Sequence, residues 1–330
     1  MKFLIIQTAF TGDVILATAL LEKIHSSFPD AEISMVVRKG NETLLSNHPF
    51  LKEVLIWNKK ENKFKNLLAL IPIIREKKFD VVLNLQRFSG TGLLTAFSGA
   101  KEKLGFTKNP LSIFYTKRFA HKIGDGTHEI ERNQSLISHL VDAQISKSRL
   151  YPSPADEQSI SKYIRKKYVT ISPGSVWFTK TFPSYKWIEL IQKYKTENPE
   201  IPIYLLGSKT ESNLGDEIIA KSGHPAIINL AGELSFLEST ALMNSALMNY
   251  VNDSAPMHMA SAINAPVTAV YCSTAPQFGF GPLSDFSRIA ETKLKLSCRP
   301  CGLHGYKSCP MSHFKCAHSI EINDIYYSTK

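Results

Sequence analysis

Residues 2–29 read KFLIIQTAFTGDVILATALLEKIHSSFP, and this stretch decides the fold. A strand at 2–7 runs through a short turn into a helix at 13–28, which is how a Rossmann-like domain begins. The turn carries a single glycine, Gly12, where the dinucleotide fingerprint needs several, and an acid, Asp13, follows it. The stretch therefore predicts a Rossmann-like domain without the usual dinucleotide site.

Asp13 is expected at the N-cap of this helix. A carboxylate there occupies the positive end of the helix dipole, which disfavours phosphate binding at this turn. The turn also lies outside the carboxyl end of a parallel strand, where open α/β folds place their ligands. Asp13 is therefore either a capping residue or a base facing a cleft, and its position alone favours the cap.

Length and composition describe a two-domain enzyme. The 330 residues, 43% hydrophobic and 21% charged, suit two α/β domains of about 150 residues each. No run approaches the roughly 18 apolar residues that span a bilayer, and the N-terminus lacks the regions of a signal peptide. We expect a cytoplasmic protein.

The net charge of +10 is unevenly distributed. Residues 1–150 hold 22 Lys/Arg against 14 Asp/Glu, and much of the excess lies in 58–78. A basic half indicates an anionic partner, such as a phosphorylated metabolite or an acidic membrane surface, although a solvated surface explains it equally well. No nucleic-acid motif is present, so we expect no nucleic-acid partner.

Strands alternate with helices along both halves of the chain, as in a doubly wound fold. In the first half, helices are predicted at 13–28, 41–47, 62–77, 90–98 and 128–144, between strands at 2–7, 32–37, 53–57, 80–85 and 103–106. A stretch rich in Pro and Ser predicts a linker at 151–158, between domains at 1–150 and 159–330. Two Rossmann-like doubly wound domains facing across a cleft make the α/β GT-B fold the leading candidate, and two-domain dehydrogenases and periplasmic-type binding proteins are its rivals.

Two turns after strands in the second half have the residues to bind a phosphorylated ligand. At 172–187, Gly174 and Ser175 can offer N–H groups and a hydroxyl to phosphate oxygens, and Lys180 adds a positive charge. The alternative is an ordinary polar loop closed by Pro183. At 205–212, Glu211 is a candidate ribose acceptor, although an ordinary turn is favoured there.

A third turn lies within 249–271, where a buried strand ends at Asp253 and Ser254. Pro256 suits the first turn of the next helix, so the N–H groups near Ser254 and Ala255 would form an anion site. Asp253 is equally suited to be the N-cap. His258 fits either this site or an ordinary buried histidine.

These motifs, in this order, resemble glycosyltransferase family 9, the ADP-heptose:lipopolysaccharide heptosyltransferases. The matching segments are GDVILATALLEKIHSSFPDAEISMVV, HEIERN (128–133), PGSVWFTKTFP (173–183) and NDSAPMHMASAINAPVTAVYCSTAPQFGFGPL (252–283). They span nearly the whole chain, from residue 1 to about residue 320.

The resemblance implies an inverting, single-displacement transfer of heptose from ADP-L-glycero-D-manno-heptose to the Kdo or first heptose of the lipopolysaccharide inner core. It makes Asp13 the general base and Lys180 the phosphate-contacting lysine. The donor-binding residues that it implies or that the turns suggest are Gly174, Ser175, Lys180, Glu211, Asp253, Ser254, Ala255, Pro256 and His258. No metal or other cofactor is required, since no DxD-type carboxylate pair appears and Lys180 can neutralise the departing diphosphate.

The same resemblance explains the positive charge of residues 1–150. The implied acceptor carries carboxylates and phosphates and lies at the cytoplasmic face of the inner membrane. Thr11, Gly12 and Arg87 are expected to contact this acceptor. Reversal of Lys59, Lys60, Lys63 and Lys65 to Glu is expected to weaken binding to acidic liposomes.

A cysteine-rich segment closes the chain, with the spacing C-x2-C-x7-C-x6-C at Cys298, Cys301, Cys309 and Cys316. These residues could close a tetrahedral structural zinc site, although the second spacing is shorter than in common zinc ribbons. In a cytoplasmic protein we favour the interpretation that these cysteines are reduced, packed thiols.

Two rival functions accompany this interpretation. One is a family relative that uses another nucleotide-sugar or another acceptor. The other is a non-catalytic sugar-nucleotide-binding protein, which would have no need of a base at Asp13.

Overall fold

The computed structural model describes residues 1–328. Its contacts divide the chain into two compact units, Met1–Tyr151 (unit 1) and the part from Pro152 onward (unit 2). The stretch 151–158, predicted as a linker, contains the start of a helix, Pro154–Ile160. Ser153 caps that helix by accepting a hydrogen bond from the Asp156 N–H, which explains why a Pro- and Ser-rich segment is ordered here.

Unit 1 is one parallel sheet with flanking helices. Its strands are β1 (Lys2–Ile6), β2 (Glu32–Arg38), β3 (Leu51–Trp57), β4 (Val81–Asn84), β5 (Glu102–Phe106) and β6 (Lys117–Phe119). Its helices are α1 (Thr11–Ser27), α2 (Lys63–Glu76), α3 (Ser89–Ala96) and α4 (Glu129–Ser135).

Unit 2 repeats this plan. Its strands are β7 (Val169–Ser172), β8 (Ile203–Leu205), β9 (Ile227–Asn229), β10 (Met248–Asn252), β11 (Val267–Tyr271) and β12 (Ser287–Glu291). Its helices are α5 (Pro154–Ile160), α6 (Ser184–Glu197), α7 (Ser212–Ser222), α8 (Phe236–Asn244), α9 (Ala255–Ala262), α10 (Lys315–His318) and α11 (Ile322–Ile325).

The two sheets have the same topology. The strand orders are β3-β2-β1-β4-β5-β6 and β12-β11-β10-β7-β8-β9, with parallel pairing in both. In unit 1 the order reverses between β1 and β4, and in unit 2 it reverses between β7 and β10. Ligands of open α/β sheets bind at this point, beyond the carboxyl ends of the strands. The Asp13 turn follows β1, and the turns with Gly174 and Asp253 follow β7 and β10.

The central strands are apolar runs because helices cover both faces of each sheet. Phe3, Leu4, Ile5 and Ile6 of β1 are fully buried, and Val169 and Ile171 of β7 are equally inaccessible. The predicted fold class of two Rossmann-like parallel α/β domains is confirmed. Among the described residues, no helix is long and apolar enough to cross a membrane.

Two predicted helices of unit 1 differ from the structure. The helix predicted at 128–144 ends at Ser135, and hydrogen bonds between residues three apart form successive turns after it. The stretch 41–47 forms only a short 3-10 turn, Glu42–Leu45. In 128–144 the apolar spacing does not distinguish a helix from successive turns, and 41–47 is too short to hold a regular helix.

The motif HEIERN forms the start of α4, where it has a structural role. The buried carboxylate of Glu129 lies 2.8 Å from Arg132 Nε and 3.2 Å from His121 Nε2. Burial acts to raise the pKa of Glu129, but the hydrogen bonds and charges of His121 and Arg132 prevail and lower it. The acid is therefore held ionised where α4 packs against α1.

Candidate functional site

In unit 1, Asp13 is the third residue of α1 rather than its N-cap. The helix begins at Thr11, the N-cap is Phe10 in an extended conformation, and Asp13 Oδ2 accepts a hydrogen bond from the Phe10 N–H at 3.1 Å. The predicted N-cap position was therefore wrong, because the chain enters the helix earlier than its glycine suggested. The carboxylate still lies in the first turn, where the helix dipole stabilises negative charge.

The neighbouring residues of this turn are held by Asn41, in the loop after β2. Thr11 Oγ1 donates to Asn41 Oδ1 at 3.1 Å, and Asn41 Nδ2 donates to the Ala9 carbonyl at 3.2 Å. Gly12 lies inside the first turn of α1. Thr11 and Gly12, predicted as acceptor contacts, thus share the edge of unit 1 that carries Asp13.

Two partly buried cations lie at the same edge. The sequence pattern predicted a role only for Lys59, as one of four lysines facing an acidic surface, and none for Arg38. Arg38 ends β2, and its guanidinium carbon lies 5.0 Å from the centroid of the Phe10 ring. Lys59 follows β3, and its Nζ donates to the carbonyl and hydroxyl oxygens of Thr8 at 2.7 and 2.8 Å. Lys59 also lies 4.5 Å from the Trp57 ring centroid, so it is fixed in place rather than extended into solvent.

Burial lowers the pKa values of both cations at this edge, and repulsion between like charges adds to the effect at Lys59. Burial, Arg38 and Lys63 together lower the pKa of Lys59 to about 8. Burial also lowers the pKa of Arg38, and the charge of Asp13 opposes that shift. Partly desolvated cations of this kind favour an incoming anion, because it offsets their repulsion.

Arg87, the third predicted acceptor contact, lies on the loop after β4, the strand next to β1. It is exposed, and its guanidinium carbon lies 5.3 Å from the Phe88 ring centroid. Buried amides brace the start of the loop, since Asn109 Nδ2 donates to the Gln86 and Phe88 carbonyls at 2.9 and 3.0 Å. Arg87 thus extends from a rigid support.

In unit 2, the predicted phosphate turn after β7 is fixed by a residue that the sequence interpretation missed. Asn252, the last residue of β10, is fully buried, and its Nδ2 donates to the carbonyls of Pro173 and Gly174 at 2.9 and 3.0 Å. Its Oδ1 accepts the Phe182 N–H at 2.9 Å. One side chain therefore ties together both ends of the turn. The polar residue that ends an apolar strand was the signal in the sequence.

The Gly174 turn is also in contact with Glu211. A Cβ atom at position 174 would lie 1.8 Å from Glu211 Oε1, so a larger residue there would have to displace the Glu211 side chain. Glu211 Oε2 accepts hydrogen bonds from the Ser208 N–H and hydroxyl, both at 2.7 Å. The structure thus brings the first and second predicted turns together. Ser175 holds its own turn locally, through a long 3.5 Å bond from the Trp177 N–H.

Lys180 and Asp253 form the charged centre of unit 2. Lys180 Nζ lies 2.8 Å from Asp253 Oδ2, and the same oxygen accepts the Thr274 hydroxyl at 2.6 Å. Both charged side chains are largely buried. Such a pair is stabilised by mutual attraction only if its hydrogen bonds are satisfied, and Thr274 contributes one of them.

The helix that follows Asp253 has the predicted start, with one correction. Its N-cap is Ser254 and not Asp253, because Ser254 takes the extended conformation before the first helical residue. Ala255 and Pro256 then form the start of the first turn, and His258 is buried within the helix. Asp253 is thereby left to pair with Lys180.

A loop of the cysteine-rich segment packs directly on the Lys180 turn. The Tyr306 N–H donates to Thr179 Oγ1 at 2.7 Å, and the Thr179 N–H donates to the Tyr306 carbonyl at 3.1 Å. Gly305 has a φ of +76°, and a Cβ on it would lie 2.9 Å from Thr179 Oγ1 and 3.0 Å from Lys180 Cγ. No pattern in the sequence indicates this contact.

No disulfide joins the cysteines among residues 1–328. Cys298 Sγ lies 3.8 Å from His313 Nε2. Burial raises the pKa of Cys301, and it raises the pKa of Cys316 to about 11. Among residues 1–328, no three His, Cys, Asp or Glu side chains are placed to hold a metal ion. Packed thiols, with structural zinc as the alternative, stay a prediction.

Comparison with known proteins agrees with the resemblance found in the sequence. A model of glycosyltransferase family 9 (heptosyltransferase) matches residues 67–305. Lipopolysaccharide heptosyltransferase 3 of Escherichia coli is 26% identical over 277 residues, which cover 80% of this chain and 82% of that protein. Lipopolysaccharide heptosyltransferase 1 of Campylobacter coli is 25% identical, with 98% of this chain and 97% of that protein covered.

The fold also matches a solved structure. The structure of E. coli ADP-heptose lps heptosyltransferase II has a TM-score of 0.77 to this chain at 21% identity, with 96% of this chain and 98% of that chain covered.

Proposed function

The chain belongs to glycosyltransferase family 9, the heptosyltransferases, and from that membership we propose that it transfers heptose from ADP-L-glycero-D-manno-heptose to the Kdo or heptose of the lipopolysaccharide inner core. The observation that carries this proposal is the carboxylate of Asp13, in the first turn of α1 after β1, at the sheet edge that also carries the partly buried Arg38 and Lys59. An acid in that position has the chemistry that glycosyl transfer requires of a base.

We assign the acceptor chemistry to unit 1. Asp13 takes the proton from the acceptor hydroxyl as the hydroxyl oxygen attacks the anomeric carbon of the donor. The bond between that carbon and the diphosphate oxygen breaks on the opposite face, so the configuration inverts. The hydrogen bond from the Phe10 N–H and the dipole of α1 orient the carboxylate.

Arg38 and Lys59 suit an acidic acceptor. Kdo carries a carboxylate, and lipid A carries phosphates. The partly buried Lys59 ammonium would recover a charged partner when such a group binds beside it. Arg38, fixed over the Phe10 ring, would do the same within reach of the Asp13 turn.

We assign the donor diphosphate to unit 2. As the glycosidic bond breaks, negative charge grows on the diphosphate, and a fixed cation stabilises it. Lys180 is that cation, and its ion pair with Asp253 holds the ammonium in position before the donor arrives. The N–H groups at the start of α9, near Ser254 and Ala255, supply a second anion site.

We further propose that the reaction needs no divalent metal, because Lys180 supplies the positive charge at the leaving group and the sequence holds no DxD pair. Glu211 remains our candidate for the ribose hydroxyls, since its carboxylate already accepts two hydrogen bonds at the edge of the Gly174 turn. The site of action we propose is the cytoplasmic face of the inner membrane.

The acceptor position within the core is the finer question. Relatives named heptosyltransferase 1 and heptosyltransferase 3 match this chain at nearly equal identity, 25% and 26%, so sequence likeness does not choose between acceptors. The rival enzymatic function, transfer of another nucleotide-activated sugar, shares the Lys180 site. The rival of a different class, a non-catalytic binding protein, makes no use of Asp13.

Incubation with ADP-heptose and a set of defined, truncated core acceptors tests the proposal, with products identified by mass spectrometry. We expect one acceptor to gain a single heptose and the others to stay unchanged. The same acceptors offered with other nucleotide-sugars form the control for donor choice. Transfer from another donor in preference to ADP-heptose would replace this proposal with the rival enzyme.

A further inference from the structure

Helix α2 of unit 1 presents apolar side chains on the face that points away from the core. Its inner face, formed by Leu67, Leu70 and Ile74, is buried against the sheet. Phe64 and Leu68 nevertheless remain 73% and 59% exposed. With Pro72 they recur every four residues, so they form one stripe along the outer face, and we name these three residues the outer stripe.

The start of this helix is rigid, so the exposure of Phe64 is a property of the fold. Trp57 is buried, and its Nε1 donates to the Lys63 carbonyl at 3.1 Å. Asn66 Nδ2 donates to the Asn58 and Glu61 carbonyls at 3.2 and 2.7 Å. These bonds close the loop between β3 and α2 on itself.

Lysines surround the outer stripe at its N-terminal end. Lys60, Lys63 and Lys65 are exposed, and Lys63 Nζ lies 5.6 Å from the Phe64 ring centroid. None of the three has a carboxylate within ion-pair distance among residues 1–328. Lys59, by contrast, is fixed on Thr8 and belongs to the site edge. The lysine cluster predicted from the sequence therefore separates into one site lysine and three surface lysines.

We propose that α2 docks unit 1 on an anionic lipid bilayer, with Phe64, Leu68 and Pro72 inserted at the interface and Lys60, Lys63 and Lys65 on the headgroups. A helix with bulky apolar residues bordered by lysines has the composition of an interfacial element. Exposed apolar residues on a rigid helix indicate a binding surface, and the uncompensated positive charge selects an anionic one. A second copy of this chain would bring the same lysines together and repel.

The inference rests on the proposed function, because a lipid-linked acceptor gives the enzyme a reason to bind a membrane. It also accounts for the location of the surface. The N-terminus of α2 lies at the carboxyl edge of the sheet, the edge that carries Asp13 and Lys59. Docking through this end of α2 would bring that edge close to the lipid headgroups.

Vesicle sedimentation with the full chain tests the proposal. Wild-type protein is expected to bind vesicles of phosphatidylglycerol and phosphatidylethanolamine and to bind pure phosphatidylcholine vesicles weakly. Replacing Phe64 and Leu68 together by Ser should lower the affinity for the anionic vesicles at least about tenfold, because the apolar insertion is lost. Replacing Lys60, Lys63 and Lys65 by Gln should lower it roughly a hundredfold at low salt.

The matched control replaces another exposed pair of the same kind, Ile113 and Phe114, which are 69% and 57% exposed elsewhere in unit 1. Serine at both should leave vesicle binding unchanged. All variants should keep the wild-type melting temperature, because the altered side chains are exposed. Vesicle binding that is absent in the wild type, or equal in the Phe64/Leu68 variant and the wild type, would overturn the proposal. The proposal would also be overturned if the wild type bound no vesicles but formed a concentration-dependent dimer that the Phe64/Leu68 variant did not form.

Activity separates this inference from the proposed function. On a water-soluble core oligosaccharide without lipid, the Phe64/Leu68 variant should be as active as the wild type. On an acceptor embedded in anionic vesicles, it should be slower. If the wild type transfers no heptose to the soluble acceptor but its vesicle binding still depends on Phe64 and Leu68, the proposed function fails and the docking surface stands.

Discussion

At the scale of single residues, the proposed chemistry depends on charges that the fold holds in position before any ligand binds. In unit 2, Lys180 and Asp253 form a largely buried pair, with Thr274 on the same carboxylate oxygen. In unit 1, Lys59 is fixed by two oxygens of Thr8. Both cations are preorganised, so an incoming phosphate or carboxylate has little side-chain entropy to overcome.

Lys180→Met should weaken ADP binding roughly ten- to hundredfold, because a charge-assisted hydrogen bond to the diphosphate is lost. Isothermal titration with ADP measures the effect, and titration with adenosine is its control. Adenosine has no phosphate, so its affinity should change little. An equal loss for both ligands would mean that the substitution disturbs the whole donor site.

The pKa of Lys59 predicts a pH dependence on the acceptor side. Below pH 8 the ammonium is charged and attracts an acidic acceptor, and as pH rises through about 8 the charge is lost, so the acceptor KM should rise. Lys59→Arg keeps the charge throughout this range and should flatten the rise. Initial rates from pH 7 to 9 test this, and an identical KM profile for both proteins would remove Lys59 from the acceptor site.

The sequence predicted some of these charged residues and not others. Asp13, Lys180 and Asp253 were found because each follows an apolar strand. The helix position of Asp13 was wrong, since one extended residue, Phe10, decides where α1 begins. Arg38 was not predicted, and Lys59 was predicted only as one of four lysines facing an acidic surface, because their contacts join neighbouring strands and one sequence does not record strand order.

At the scale of secondary structure elements, loops far apart in sequence support the proposed donor site. Asn252 at the end of β10 holds both ends of the turn after β7. The cysteine-rich segment reaches the same turn through Gly305 and Tyr306. We expect this segment to keep the Lys180 turn in place.

Gly305→Ala should therefore lower ADP affinity about tenfold, because its methyl group would displace Lys180 from the position that suits a charge-assisted bond. Gly302→Ala is the matched control. Gly302 also has a positive φ, +68°, but a Cβ there would meet only Tyr306, at 3.4 Å or more. Both variants should lose about 1 kcal/mol of unfolding free energy. Equal ADP affinities in the two variants would contradict a positioning role.

The central strands were predictable, and two of the edge strands were not. The strands β1, β4, β7, β10 and β11 are buried apolar runs, which the sequence shows directly. The edge strands β6 and β12 were missed, because Lys117–Phe119 and Ser287–Glu291 carry too few apolar residues for a pattern. The helix predicted at 128–144 failed because apolar spacing does not distinguish a helix from successive turns.

At the scale of the whole molecule, one topology occurs twice, with an acid at the switch point of unit 1 and a lysine at that of unit 2. The resemblance to a family of heptosyltransferases was predictable from ordered motifs along the chain, and the family match confirms it. The identity of the acceptor was not predictable, since the contacts that we propose for it lie on unit 1 loops that carry no recognisable motif. Membrane docking through α2 was not predictable from the sequence, because the solvent exposure of each side chain is needed to tell the outer stripe from the buried face of the helix.

The central claim is that Asp13 is the base of a heptosyl transfer from ADP-heptose. The direct measurement compares wild-type protein with Asp13→Asn, using ADP-heptose, a truncated core acceptor and detection by mass spectrometry. Asn retains an oxygen to accept the Phe10 N–H, so fold and ADP affinity should persist while transfer falls by a factor of about a hundred or more. Transfer by Asp13→Asn at the wild-type rate, with ADP binding intact, would contradict the account.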